Sequence, residues 1–68
     1  MNIIYPKHAE KQIEIRKILK IWIEEGLKWS DLTIRLEGGK YAVRKRLNGR
    51  SIEIIFIRER DIKILTVY

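Results

Sequence analysis

The sequence predicts an α+β fold: an N-terminal helical segment packed on a four-stranded antiparallel β-meander. Three observations predict it. Apolar residues recur at helical spacing as far as Gly26, and from Leu32 onward they alternate with polar ones. The alternating half is divided by the turn pairs Gly38-Gly39 and Asn48-Gly49.

The helical segment is expected over residues 7–26. Pro6 stands where a helix can begin, because its ring presets the backbone angle the first turn needs. Beyond it Ile15, Ile18, Leu19, Trp22 and Ile23 recur at helical spacing, and Ile13 and Ile21 widen the stripe. Glu24 and Glu25 precede Gly26, which suits a left-handed helix terminator. The pattern fits one kinked helix or two short ones meeting near Lys17.

Strands are expected at about 32–37, 40–47, 51–58 and 62–67. A two-residue turn at Gly38-Gly39 sets Leu36 opposite Tyr41 and Ile34 opposite Val43. The Asn48-Gly49 turn sets Leu47 opposite Arg50, Val43 opposite Ile54 and Tyr41 opposite Phe56. A three-residue loop at Glu59 to Asp61 sets Phe56 opposite Ile64 and Ile54 opposite Thr66.

One face then collects Ile34, Leu36, Tyr41, Val43, Ile54, Phe56, Ile62 and Ile64, which makes it the core face. The other carries Arg44 directly opposed to Glu53, an ion pair, and also Ala42, Ile55, Ile57, Leu65 and Val67. One layer of helix covers one side of a sheet. The apolar residues Ile55, Ile57, Leu65 and Val67 therefore suggest a partner protein or a homodimer on the outer face, unless they are simply good strand formers.

Sixty-eight residues suffice for one domain, 1–68, with a modest core. No cysteine and a single histidine rule out disulfides and Cys/His zinc sites, and no metal or other cofactor is implied. Charges interrupt the apolar stretches, so a cytoplasmic location with no membrane partner is expected. Charged residues form 35% of the chain, a composition typical of thermophile proteins.

The net charge is +6, and its densest part is Lys40 to Arg50, with Lys40, Arg44, Lys45, Arg46 and Arg50 and no acid. Such a run suits a polyanion or an ordinary solvated face equally. Arg44, Lys45, Arg46 and Arg50 are the candidate nucleic-acid contacts, gripping phosphates without reading bases. Trp29 is the one aromatic expected in solvent, so recognition by base stacking has little support.

His8-Ala9, followed by Gln12-Ile13 and Arg16, resembles the opening of a family of small prokaryotic domains, and the later strand residues Tyr41, Val43, Ile54 and Ile55 fit its layout. That family is similar in layout to the RelE, ParE and BrnT toxins. The resemblance implies a metal-independent ribonuclease or a reduced relative, acting on RNA and held by an antitoxin. The family commonly has Gly after the motif's Arg, where this chain has Lys17. RelE-like toxins also extend beyond the equivalent of Tyr68.

His8 is the single imidazole, the group that exchanges protons near neutral pH. Metal-free RNA cleavage needs a base for the 2′-hydroxyl, a cation for the phosphorane and an acid for the leaving oxygen. His8 and Arg16, eight residues apart and so on one helix side, with Lys45 and Tyr68 from the sheet, are the candidate catalytic residues. The alternatives are a structural His8, a solvated Arg16 and a Lys45 whose ammonium reaches past the core edge. A non-enzymatic nucleic-acid-binding module and a protein-interaction module are the competing functions.

Overall fold

A break at Lys17 divides the helical segment in two. In the computed structural model, which describes residues 2–68, α1 runs Lys7–Ile15 and α2 runs Lys20–Lys28. Ile18 N–H donates to the Ile13 carbonyl at 2.9 Å and Lys17 N–H to the Glu14 carbonyl at 3.2 Å. This is the pattern in which a helix ends on one left-handed residue. Lys17 is that residue, with φ 55°. It takes the conformation for which glycine is the usual choice, and the helix breaks without one.

The break rotates one half of the apolar stripe away from the other. Ala9, Ile13, Ile18 and Ile23 are buried, while Ile15, Leu19 and Ile21 are 67%, 55% and 59% exposed. A single 3.6-residue period across the break had merged two different faces. Gly26 is no terminator either. It lies inside α2, buried, where an added Cβ would stand 3.0 Å from Ile54 Cδ1 and 3.4 Å from Lys45 Cβ. Glycine there permits close approach of helix and sheet.

The sheet has five strands and is mixed, which corrects the expectation of four antiparallel ones. β1 (Ile3–Ile4), β2 (Leu32–Arg35), β3 (Lys40–Leu47), β4 (Arg50–Arg58) and β5 (Ile62–Val67) lie in the order β1-β5-β4-β3-β2. Strands β2 to β5 pair antiparallel with their chain neighbours, and β1 joins β5 in parallel through Ile3 and Ile62. Two residues are too few to show an alternation, so β1 left no pattern to read.

The Asn48-Gly49 hairpin forms as expected, with φ 50° and 77°. Val43 faces Ile54, Tyr41 faces Phe56 and Arg44 faces Glu53. The other two registers shift. Glu37–Gly39 makes a three-residue turn closed by Leu36 N–H to the Lys40 carbonyl at 2.9 Å, so Ile34 faces Ala42 and Arg35 faces Tyr41. One extra loop residue reverses the faces of a whole strand. Leu32, Ile34 and Leu36 are consequently 45%, 46% and 37% exposed, and Ile34 and Leu36 leave the predicted core.

A bulge between β4 and β5 moves the last strand as well. Phe56 faces Ile64 as expected, but Ile54 faces Val67 and Ile55 faces Thr66, leaving Leu65 as the extra residue. Val67 thereby turns into the core and is fully buried with Ile23, Ile52, Ile54 and Ile64. Both helices cover this face, α1 against β5 and α2 against β3.

Candidate functional site

Two of the four expected catalytic residues, His8 and Arg16, share one hollow on α1, and a third, Tyr68, stands beside Arg16. His8 is the second residue of that helix, and His8, Lys11, Gln12, Ile15 and Arg16 line one open hollow of about 340 Å³. The spacing of three, four and eight residues places them on one helix side. The Arg16 guanidinium lies 5.6 Å from the centre of the Tyr68 ring, within cation–π range.

Gln12 fixes the relative position of the two elements. Its Oε1 accepts from the Val67 backbone N–H at 3.0 Å and also from the Thr66 hydroxyl. On the other side of the strand Tyr68 and Glu53 exchange backbone hydrogen bonds. Tyr68 thus occupies the row of Glu53 and Arg44, and its side chain is half exposed next to Arg16. The bulge at Leu65 thus puts Tyr68 one residue away from the row of Ile52 and Lys45.

Lys45 stands apart from this group. Its stem packs against Gly26 of α2, and its Nζ reaches Asp31 Oδ1 at 4.0 Å. The ammonium extends past the end of the core, the snorkelling arrangement.

The four candidate nucleic-acid contacts do not form one surface. Arg44 is paired with Glu53 at 3.1 Å, confirming the cross-strand ion pair. Arg50 donates to the carbonyls of Arg16 at 2.6 Å and Lys17 at 3.3 Å, and lies 6.0 Å from the Trp22 ring. It secures the turn between the helices. Arg46 projects with Arg44 into an open hollow shared with Asp31 and Ser51, where Asp31 Oδ2 accepts from Arg46 N–H at 2.8 Å. An acid at the centre of this basic run weakens its hold on phosphate.

The outer sheet face carries Ile55, Ile57 and Leu65, all partly exposed, together with Leu32 and Ile34. Val67 is absent from it. Trp29 is 71% exposed, as expected, and Tyr68 joins it at 50%.

Tyr5 lines neither of these hollows. Its hydroxyl is buried without a hydrogen-bond partner, and burial, then Glu24 and Glu10, raises its pKa. The Lys20 ammonium sits 4.7 Å from its ring and pairs with Glu10 at 3.0 Å. Among the described residues no three His, Cys, Asp or Glu side chains gather as metal ligands, and no helix is long and apolar enough to cross a membrane.

No family model matches the chain, and no curated protein or solved structure shows significant similarity to it.

Proposed function

We propose that this chain is an RNA-directed domain of the RelE-like toxin type, a metal-independent ribonuclease whose site is the hollow on α1. The observation that supports this reading is the convergence of His8, Lys11 and Arg16 on one open hollow with Tyr68 beside Arg16. No acid is within ion-pair distance of Lys11 or Arg16 among the described residues.

The chemistry is transesterification. The His8 imidazole takes the proton of a ribose 2′-hydroxyl, whose oxygen attacks the adjacent phosphorus. Lys11 and Arg16 face the negative charge that builds on the phosphorane oxygens. The Tyr68 phenol gives a proton to the leaving 5′-oxygen. The products are a 2′,3′-cyclic phosphate and a 5′-hydroxyl, and no water is consumed. Lys45, tied to Asp31, has no step in this scheme. In the same reading the outer face of Ile55, Ile57 and Leu65 is where an antitoxin docks.

Incubating end-labelled RNA with the protein in excess EDTA tests the proposal. Cyclic-phosphate ends are expected with the native protein and not with His8→Ala.

A further inference from the structure

A second hollow lies on the helix side of the sheet, where Leu27 near the end of α2 forms one wall. The three-residue turn at Glu37–Gly39 creates it, because the shifted register brings Thr33 and Arg35 to this face beside Val43 and Tyr41. The hollow holds about 350 Å³ and is lined by Leu27, Thr33, Arg35, Tyr41, Phe56 and Arg58, among others. That volume falls at the lower end of the range for small-ligand sites, about 300–1,000 Å³.

Its chemistry is that of an aromatic floor between two cations. The Tyr41 and Phe56 rings stack with centroids 5.6 Å apart and planes 20° apart. Arg35 lies across the strand pair from Tyr41, its guanidinium 5.8 Å from that ring. Arg58 follows Phe56 by two residues on the same side of β4. Both arginines are exposed, and neither has an acid within ion-pair distance among the described residues. Among the described residues no carboxylate lines the hollow, in contrast to the Arg44–Arg46 cluster with its Asp31.

We propose that this groove holds one nucleotide of a single-stranded RNA, its base against the part-exposed Tyr41 and Leu27 and its flanking phosphates on Arg35 and Arg58. A free anion would need only the arginines. The ring between them gives a planar base its stacking surface. The inference rests on the reading that the ligand is RNA, but it needs no cleavage.

The test uses a fluorescent 2′-O-methyl oligouridylate, which lacks the attacking hydroxyl and stays intact. Its affinity is titrated against salt for the native protein, Arg35→Ala, Arg58→Ala, Tyr41→Leu and the control Arg60→Ala. Each groove arginine is expected to weaken binding about fivefold or more and to lower the salt slope by about 0.7, the value for one single-strand phosphate contact. Tyr41→Leu is expected to weaken binding about fivefold or more with the slope unchanged, and Arg60→Ala to leave both unchanged.

Groove variants that bind and respond to salt like Arg60→Ala overturn the groove and leave the ribonuclease reading standing. Binding lost in the groove variants, from a protein that never cleaves RNA, supports the groove and removes the ribonuclease. No RNA binding by the folded native protein at low salt removes both. Equal competition by polyglutamate, insensitive to Tyr41→Leu, overturns the nucleotide assignment in favour of an acidic peptide.

Discussion

Gln12 of α1 holds Val67 of β5, its Oε1 accepting the Val67 backbone N–H at 3.0 Å. That N–H points away from β4, where Tyr68 and Glu53 complete the ladder, and toward an edge that β1 covers only at Ile62 and Lys63. A side chain thus satisfies a strand edge that no strand reaches. The same contact brings the end of β5 against α1, so that Tyr68 and Arg16 meet.

Replacing Gln12 with Met keeps the length and removes the acceptor. Gln12→Met is expected to destabilise the protein by about 1–2 kcal/mol, since two donors lose their partner. Urea denaturation checks this. On the ribonuclease reading proposed above, cleavage is expected to fall by more than the loss of folded protein explains, because Tyr68 is released from Arg16.

The left-handed Lys17 predicts a gain. Lys17→Gly is expected to stabilise the fold by about 0.5–1 kcal/mol, as glycine adopts φ 55° without steric cost. Arg50→Ala acts on the same turn from the other side and is expected to cost about 1 kcal/mol. Its hydrogen bonds to two carbonyls are solvent-exposed, which keeps the figure low. Thermal melts of both variants decide the matter, at about 4–8 °C per kcal/mol for a chain of this size.

Gly26→Ala separates helix propensity from packing. Alanine in a helix interior is favoured over glycine by about 1 kcal/mol. Here the new methyl would meet fully buried Ile54 at 3.0 Å. A net loss of about 1 kcal/mol is expected from overpacking. A stabilised variant in chemical denaturation would show that α2 and β4 have room to separate.

Tyr5 gives the fold an alkaline limit. Its folded pKa is raised by burial, so its ionisation is easier in the unfolded chain. The contribution is fully present below the ordinary tyrosine pKa, about 10. It is lost as the pH rises from there through the folded value. Tyr5→Phe removes both the titration and an unpartnered buried hydroxyl. Equal or greater stability is expected at pH 7, by up to about 1 kcal/mol. The variant's advantage is expected to widen above about pH 10, as measured by paired denaturation curves.

The sequence was most legible where chemistry left one choice. Asn48-Gly49 allows both central residues a positive φ, and the register it implies holds from Leu47–Arg50 to Tyr41–Phe56. Gly38-Gly39 carries the same freedom, yet Glu37 joins the turn and reverses the faces of β2. Two glycines accommodate more than one turn length. The bulge at Leu65 likewise has no glycine or proline to announce it, and it carried Val67 from the expected outer face into the core.

In the candidate site, His8 and Arg16 were legible as helix neighbours. Lys11 also lines the hollow, three residues from His8, but one lysine among many in a basic chain carries no signal of its own. The loss of Arg50 to the Lys17 turn and of Lys45 to Asp31 was not legible. Both depend on which helix carbonyls and loop acids fold against them.

Single-turnover cleavage in excess EDTA, by the native protein and by His8→Ala, decides whether the α1 hollow is the ribonuclease site proposed for it. Cyclic-phosphate products from the native protein, and a rate at least about 100-fold lower in an equally folded His8→Ala, are the predicted result. Equal cleavage by the two proteins, or none by either, would contradict it.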